Sequence, residues 1–224
     1  MLVVIEGPDG VGKTTLINNL INMYPKIYDK FPLSFPTYKK HLTNSKTPQY
    51  LRDKLYDYLL NDKRGDISDL QFQYINLIDK VMQYSEFTEY KNRDKIYLID
   101  RYKASGYVYG VSSMLDSNLF NGNEKFIRYV NEQMVSLIED PSFDIFLYAE
   151  PEYVMKRIDK RNDDRSAYET EELIKVICRE YVHYFNTFVQ NGIIIDATQK
   201  QEDVVSDVHS IIKKILIEGV EECW

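Results

Sequence analysis

Short, wholly apolar runs alternate along the chain with longer segments that have a helical repeat. The first run is Leu2-Val3-Val4-Ile5; similar runs occur at 96–99, 144–148 and 192–195, and a weaker one at 26–28. Such runs predict strands buried on both faces, as in a parallel sheet. The segments 14–23, 50–60, 68–90, 124–139, 150–161, 170–190 and 201–217 predict helices. Because strand–helix alternation requires crossover connections, we predict an α/β fold with a five-stranded parallel sheet and helices on both faces.

Length and composition fit one such domain. The chain has 224 residues, 44% of them hydrophobic, which is enough for a sizeable core. No apolar run approaches the roughly 20 residues that span a bilayer, and Glu6 follows the first run too soon for a signal peptide. Two cysteines are too few for a disulfide scaffold. We therefore expect reduced thiols and a cytoplasmic location, in the host cytoplasm if the source is a virus.

The charge balance limits the partners. A net charge of -7 argues against nucleic acid or an anionic membrane surface as a partner. It leaves room for a small anionic ligand held by local positive groups. The three histidines show no spacing that suggests a shared role.

A glycine-rich segment follows the first predicted strand. Residues 7–14, Gly-Pro-Asp-Gly-Val-Gly-Lys-Thr, match the phosphate-loop pattern G-x-x-x-x-G-K-[ST] and precede a predicted helix. In such a loop the backbone N–H groups and the helix N-terminus bind phosphates, the lysine reaches the β- and γ-phosphates and the hydroxyl ligates Mg²⁺. We therefore predict a nucleoside triphosphate site. Its residues are Gly7, Asp9, Gly10, Val11, Gly12, Lys13, Thr14 and Thr15.

The rest of the chain narrows the use of that triphosphate. The guanine-reading element N-K-x-D is absent, and the chain is short for a motor or helicase ATPase. A small phosphoryl-transfer kinase is the favoured interpretation.

Asp100-Arg101-Tyr102 follows the apolar run 96–99, at the carboxyl end of a predicted strand. Ligands of open parallel sheets bind at that edge. A carboxylate there can hold Mg²⁺ or its waters together with Thr14. Arg101 offers a planar fork to the phosphoryl oxygens of a donor and an acceptor. The alternative is a solvated ion pair at the end of the strand.

Together, these segments resemble the thymidylate kinase family. The likeness covers residues 6–15 and 100–106, then 144–147, Lys156-Arg157, Asp164-Arg165, Tyr168-Glu169 and 195–198, in the family's order. It implies a single three-layer P-loop kinase domain over 1–224 with a short lid at about 157–168. It also implies transfer of the ATP γ-phosphoryl group to dTMP, giving dTDP for DNA precursor synthesis, with Mg²⁺ as cofactor and a homodimer as the assembly.

The resemblance also implies roles for single residues. The acceptor site would comprise Asp9, Phe72, Asn76, Arg101, Ser105, Gly106, Tyr109 and Tyr168. Asp9 would contact the deoxyribose 3′-hydroxyl, Phe72 would stack on the base and Tyr109 would block a ribose 2′-hydroxyl. Arg101 would bridge the two phosphates. A turn-forming Asp9 and core positions for Phe72 and Tyr109 are the alternatives.

The family supplies a cationic finger either from the P-loop or from the lid. This P-loop contains no arginine, whereas Arg157, Arg161 and Arg165 lie in the predicted lid. Such a cation stabilises the charge that spreads over the transferred phosphoryl group. We predict Arg161 as the finger, with Arg165 second, and Arg157 and Arg165 as ATP contacts. The catalytic set is then Lys13, Asp100, Arg101 and Arg161. The alternative is a solvated helix end with Asp159, Asp163 and Asp164 as partners.

Two departures from the family pattern concern the acceptor. No arginine follows Phe31-Pro32, and Asn76 stands where the family has an arginine, with Lys80 one helical turn further. The acceptor can therefore extend to dUMP or another pyrimidine monophosphate. Two other functions remain open: a kinase of thymidine-like nucleosides, and a nucleotide-binding regulator without catalysis. The joint presence of Lys13, Thr14, Asp100 and Arg101 argues against the regulator.

Overall fold

The computed structural model describes residues 1–30, 48–60, 67–90, 96–138, 140–161, 165–166 and 168–218. The strands in these ranges are β1 (Leu2–Glu6), β2 (Tyr28–Lys30), β3 (Ile96–Asp100), β4 (Phe143–Tyr148) and β5 (Gly192–Asp196). The helices are α1 (Lys13–Met23), α2 (Gln49–Leu60), α3 (Asp69–Tyr90), α4 (Lys103–Asp116), α5 (Glu124–Val135), α6 (Pro151–Lys160), α7 (Glu171–Phe188) and α8 (Gln201–Glu218). A 3₁₀ segment, Leu119–Gly122, connects α4 to α5.

The strands form one parallel sheet in the order β2-β3-β1-β4-β5. The central strand β1 pairs with β3 on one side, where Val3 lies opposite Leu98, and with β4 on the other, where Val3 lies opposite Phe143. The predicted five-stranded parallel sheet is thus confirmed. This order places the ends of β1 and β3 side by side, and the segments that follow them carry the P-loop and the Asp-Arg-Tyr sequence.

Both faces of the sheet are covered by helices. Successive residues of β1 contribute to two apolar clusters, because side chains alternate along a strand. Val3 and Ile5 belong to the larger cluster, which includes Leu16 and Leu20 of α1. Leu2 and Val4 belong to the second, with Leu77 of α3 and Met134 of α5. The prediction of helices on both faces is confirmed.

The hydrophobic pattern of the sequence does not predict helix α4. Its residues from Ala104 to Met114 are buried except Gly106, and it contacts α3, α5 and α7. A helix enclosed on all sides has no polar face, so the amphipathic repeat that identifies surface helices does not develop. The omission matters because α4 carries Ser105, Gly106 and Tyr109.

The fifth helix is shorter than the predicted 124–139. It ends at Val135, after which Leu137 N bonds to Met134 O and Ile138 N to Val135 O, so the last turn tightens into i to i−3 bonds. Among the helices in the described ranges, none is both long and apolar enough to cross a bilayer.

Candidate active site

The P-loop runs from the end of β1 into α1. Gly7 has a φ of 142°, and a side chain at this position would come within 2.7 Å of the Leu147 carbonyl oxygen. Gly12 has a φ of 110° and directly precedes the first residue of α1. Only glycine adopts both conformations without strain. The loop therefore directs the N-terminus of α1 toward the edge of the sheet where Asp100 and Arg101 lie.

Lys13 is buried beneath the loop. Its ammonium donates a hydrogen bond to Pro8 O at 2.7 Å, and the residue is 6% exposed. Burial lowers the pKa of Lys13 from 10.5 to about 8, and the nearby Arg101 lowers it further, while Asp100 and Asp9 oppose the change. The side chain is therefore a cation at neutral pH, held inside the loop that the sequence assigns to phosphates.

Thr14 and Asp100 meet across the strand ends. The Thr14 hydroxyl donates to Asp100 Oδ2 at 2.6 Å. The other oxygen, Asp100 Oδ1, is buried and has no hydrogen-bond partner in the described part of the chain. Buried carboxylate oxygens are nearly always partnered. The pair thus fits a magnesium ion or its water.

This cation site draws on few protein groups. In the described ranges no group of three or more His, Cys, Asp or Glu side chains is placed so that it could hold a metal ion. Mg²⁺ typically binds through one or two carboxylates and completes its shell with waters and phosphates. Thr14 and Asp100 suit that mode of binding.

Arg101 and Asp9 form an ion pair beside the P-loop. Arg101 Nη2 donates to Asp9 Oδ1 at 2.6 Å, and the Tyr109 hydroxyl donates to Asp9 Oδ2 at 2.9 Å. The guanidinium also lies 4.8 Å from the centre of the Tyr109 ring. One carboxylate, one guanidinium and one phenol thus converge from three segments of the chain.

These contacts set the protonation of the pair. Burial raises the pKa of Asp9, but Arg101, Lys13 and the Tyr109 hydrogen bond outweigh burial and lower the pKa from 3.8 to about 2. For Arg101, burial works against the charged form, yet Asp9 and its neighbours raise the pKa well above its usual range. Both groups are fully charged at neutral pH.

Ser105 lies directly behind Arg101. Its hydroxyl accepts from Arg101 Nη1 at 3.3 Å and lies 2.7 Å from the Tyr181 hydroxyl. Tyr181 comes from α7 and also contacts Arg101 Nη1, at 3.3 Å. Sequence reasoning missed Tyr181, since nothing in the local pattern of α7 separates it from an ordinary core tyrosine.

The aromatic residues predicted for the acceptor site fall into two groups. Tyr168 meets Tyr109 edge to face, with ring centres 5.0 Å apart, and so lies at the Arg101–Asp9 pair. Phe72 is 2% exposed and stacks on Tyr58 of α2, with ring centres 4.0 Å apart. The structure thus brings Tyr109 and Tyr168 together and gives Phe72 an aromatic partner of its own.

The helix α3 buries an unusual polar stripe. Gln73, Asn76 and Lys80 are respectively 4%, 9% and 3% exposed, whereas Tyr74 and Ile78 on the same helix are 49% and 45% exposed. These three polar groups, together with Asp79 at 0% exposure, turn inward while apolar groups turn outward, which inverts the usual pattern of a surface helix. The inversion indicates that the buried face has a task other than packing.

The polar stripe faces a small gap against α4. Gln73 Nε2 and Asn76 Oδ1 are buried without a hydrogen-bond partner in the described ranges. They line a gap of about 10 Å³ together with Lys80 and Gly106. A side chain at Gly106 would come within 2.7 Å of the Lys80 ammonium, so the end of the lysine side chain would have to move. Burial lowers the pKa of Lys80 from 10.5 to about 8, although Glu6 and Asp79 favour its charged form.

The three lid arginines occupy different places. Arg157 Nη1 donates to Val11 O in the P-loop at 3.2 Å. Arg161 Nη2 donates to both oxygens of the buried Glu169 carboxylate, at 2.5 and 2.7 Å. Arg165 pairs with Asp159 on the surface. Of the three, Arg157 is the one in contact with the phosphate loop.

Several expectations fall on residues outside the described ranges. These are the segment after Phe31-Pro32 and the lid residues Asp163 and Asp164.

A cleft lies on the other side of the P-loop. It has a volume of about 200 Å³ and is lined by residues of the P-loop and α1, by Tyr153 and Arg157 of α6 and by Gln199 and Gln201 after β5. The Arg157 guanidinium lies 5.7 Å from the Tyr153 ring centre. Sequence reasoning assigned no role to Tyr153, Gln199 or Gln201, because they carry no motif of their own.

Known proteins resemble the chain over nearly its whole length. Residues 5–208 match the sequence model described as Thymidylate kinase. The chain is 30% identical over 214 residues to a thymidylate kinase of Thermoanaerobacter sp. (strain X514), covering 94% of this chain and 96% of the relative. It is 24% identical over 207 residues to a probable thymidylate kinase of Thermoplasma acidophilum, and the match covers 92% of this chain and 93% of the relative.

Solved structures share the fold at lower identity. A thymidylate kinase structure from Candida albicans superposes with a TM-score of 0.72 at 19% identity, over 95% of this chain and 91% of the other. A deoxyadenosine kinase from M. mycoides with bound dATP superposes with a TM-score of 0.64 at 17% identity, over 95% of this chain and 99% of the other. The family match covers most of the chain and includes the P-loop, Asp100 and Arg101. The chain belongs to the thymidylate kinase family.

Proposed function

We propose that this chain transfers the γ-phosphoryl group of ATP to the phosphate of dTMP, giving dTDP, with Mg²⁺ as cofactor. The observation that carries the proposal is the Arg101–Asp9 pair beside the P-loop, joined at 2.6 Å. In this proposal the guanidinium binds a second phosphate, next to that of the nucleotide in the loop. A protein that only binds a nucleotide, and has no phosphate acceptor, does not need an arginine at this position. Membership of the family supports the same reaction.

The donor nucleotide binds through the P-loop in this proposal. Lys13 and the N-terminus of α1 hold the β- and γ-phosphates. The adenine and ribose lie in the 200 Å³ cleft, where Arg157 and Tyr153 supply a flat cationic and aromatic wall. Thr14 and Asp100 would hold Mg²⁺, which would neutralise part of the negative charge of the phosphates.

The acceptor lies on the Arg101 side. Arg101 orients the acceptor phosphate against the γ-phosphoryl group, and Asp9 keeps the guanidinium in place while it offers an oxygen to the sugar hydroxyl. Tyr109 contacts both groups and bounds the sugar. The reaction needs no covalent intermediate, because positioning and charge stabilisation supply the acceleration.

The base is held at the polar stripe of α3. The 10 Å³ gap admits one exocyclic atom of a base but not its ring. Lys80 and Gln73 Nε2 offer donors and Asn76 Oδ1 offers an acceptor, which complements a carbonyl oxygen beside a ring N–H. Thymine and uracil present that edge, whereas cytosine presents an amino group to the same donors. We therefore propose dTMP and dUMP as acceptors, and dCMP as a poor one.

The lid and the assembly complete the proposal. The chain forms one domain spanning 1–224, and residues 157–168 close over the nucleotides as its lid. On closure Arg161 leaves Glu169 and becomes the cationic finger that stabilises the transferred phosphoryl group. Lid closure excludes water from the γ-phosphate. We further propose a cytoplasmic homodimer that makes DNA precursors and binds no nucleic acid.

A coupled ADP-release assay tests the function. The panel comprises dTMP, dUMP, dCMP, UMP and thymidine, each with ATP and Mg²⁺. Release with dTMP and dUMP is expected, and Lys13→Ala should lower it by at least about a hundredfold. Lys175→Ala is the matched control, since that lysine is 52% exposed and pairs with Glu171 on the surface. No release with any monophosphate would overturn the proposal, and release with thymidine alone would make the chain a nucleoside kinase.

A further inference from the structure

Glu6, the last residue of β1, is a carboxylate that no phosphate-loop role accounts for. It is fully buried, at 0% exposure, directly before the P-loop. Four donors surround it: Tyr102 N at 2.7 Å, Ser105 N at 3.2 Å, Ser105 Oγ at 2.5 Å and the Tyr181 hydroxyl at 3.3 Å. A buried carboxylate with this many donors organises the backbone around it.

The backbone that Glu6 organises is the turn that carries Arg101. Arg101 has a φ of 68°, a left-handed conformation that costs a non-glycine residue about 1 kcal/mol. The next residue, Tyr102, is the N-cap of α4 and makes no side-chain cap of its own. Glu6 takes over that task from the neighbouring strand by accepting from Tyr102 N and Ser105 N. The strained turn is thus held by a carboxylate of β1.

Glu6 also orients the side chain of Arg101, through two hydroxyls. Ser105 Oγ and the Tyr181 hydroxyl each contact Glu6, and each accepts from Arg101 Nη1 at 3.3 Å. A hydroxyl has one proton and two acceptor lone pairs. Because the proton is drawn to Glu6 or to the other hydroxyl, lone pairs remain for the guanidinium. Gly7 O, at 3.1 Å, completes the set of Nη1 acceptors.

We propose that Glu6 is a positioning residue for Arg101, acting through the Tyr181 and Ser105 hydroxyls. The proposal rests on the proposed function, in which Arg101 bridges two phosphates. A guanidinium that bridges phosphates in the transition state must be held within about 0.5 Å of its working place. Loosening it therefore affects the chemical step more than ground-state binding of either nucleotide.

Removal of one hydroxyl is the mildest test. Tyr181→Phe deletes one of the two hydroxyl oxygens that join Glu6 to Arg101, leaves the Ser105 hydroxyl in place and keeps the ring in the core. We expect kcat with dTMP to fall about tenfold while KM for dTMP and ATP changes less than about twofold. Tyr184→Phe is the matched control, a buried tyrosine on the same helix that packs on Tyr107, and its kcat should stay within about twofold of wild type. Equal kinetics for the two variants would overturn the proposal.

A double-mutant cycle separates positioning from general stability. In an Arg101→Lys background the fork is already lost, so Tyr181→Phe should cause no further loss of kcat. Additive losses would show that Tyr181 acts independently of Arg101. Glu6→Gln should match or exceed the loss of Tyr181→Phe, and the Tyr181→Phe result stands if the Glu6 variant does not fold.

A second readout needs no turnover. The Arg101 Nε–H signal in ¹⁵N NMR relaxation should report a rigid side chain in wild type and in Tyr184→Phe, and a more mobile one in Tyr181→Phe. An unchanged Arg101 signal in Tyr181→Phe would refute the positioning role even if the chain proved inactive with every monophosphate. A wild-type enzyme that is active while Tyr181→Phe keeps full activity would refute the positioning role and leave the proposed function intact.

Discussion

Lys80→Met should make this chain more stable and a worse enzyme. Lys80 is 3% exposed, and Leu77, Met134, Val135 and Ile138 line the gap beside it. Methionine is unbranched and similar in length, so it fills the space of the lysine stem without the charge. Most substitutions of buried residues destabilise a protein, which makes a predicted gain a demanding test.

The size of the gain follows from the lysine pKa. Burial lowers that pKa from 10.5 to about 8, and each pKa unit corresponds to about 1.4 kcal/mol. Charged Lys80 therefore costs the folded state about 3 kcal/mol at pH 7. For a chain of this size, removal of that cost corresponds to a rise in Tm of roughly 6–12 °C.

The cost has a defined pH dependence. A folded-state pKa below the unfolded value means that the folded chain holds fewer protons in that interval, so its stability rises with pH. The cost is present in full below about pH 8, falls to roughly half at pH 9.5 and vanishes above about pH 10.5. The stability difference between Lys80→Met and wild type should shrink accordingly.

Urea unfolding at pH 7 and pH 9.5 measures the difference, with Lys175→Met as the control. That lysine lies on the surface and pairs with Glu171, so its replacement should leave stability nearly unchanged at either pH. The kcat/KM of Lys80→Met for dTMP should fall about tenfold, and its preference for dTMP over dCMP should shrink. A variant no more stable than wild type at pH 7, or a gain unchanged at pH 9.5, would refute the reasoning.

Three further predictions concern the phosphate side and the sugar. Arg161→Ala should lower kcat by about a hundredfold or more, while Arg165→Ala should lower it less; equal kcat for Arg161→Ala and wild type in a single-turnover assay would exclude the finger. Asp100→Asn should raise the Mg²⁺ concentration needed for half-maximal rate by about tenfold or more, with little change in Tm, which a magnesium titration measures. Tyr109→Ala should improve the rate with UMP relative to dUMP, whereas Tyr109→Phe keeps the ring and should keep the discrimination; parallel losses with both acceptors would remove the ring from sugar selection.

Sequence reasoning succeeded where the signal is local. The P-loop is a contiguous run in which backbone geometry fixes the positions of the glycines, the lysine and the threonine. The sequence alone therefore predicts that Lys13 and Thr14 lie where the loop meets the first helix. Asp100 was predicted as their neighbour because parallel strands end at one edge, and the 2.6 Å contact with Thr14 agrees. The buried strands were found because short apolar runs between helical segments are typical of strands covered on both faces.

Sequence reasoning failed where burial is complete. The helix α4 is enclosed by α3, α5 and α7 and has no polar face, so its periodicity did not identify it. A surface helix normally exposes its polar residues and buries its apolar ones, but α3 buries Gln73, Asn76 and Lys80 and exposes Tyr74 and Ile78. The sequence pattern therefore could not show which face of α3 is buried. Nothing in the local sequence of Glu6 or Tyr181 marks them as partners of Arg101, because they are separated from it by 95 and 80 residues.

The amino-acid sequence by itself determined the parallel sheet, the phosphate loop and the residues at the strand ends, since each depends on short-range backbone geometry or on a local apolar pattern. The tertiary structure alone decided which charges meet: Arg101 with Asp9, Arg161 with Glu169, and Glu6 with the start of α4. The physical reason is that the strength of an electrostatic contact depends on distance and on exclusion of water. Neither quantity exists until β1, β3, α4 and α7 have packed together.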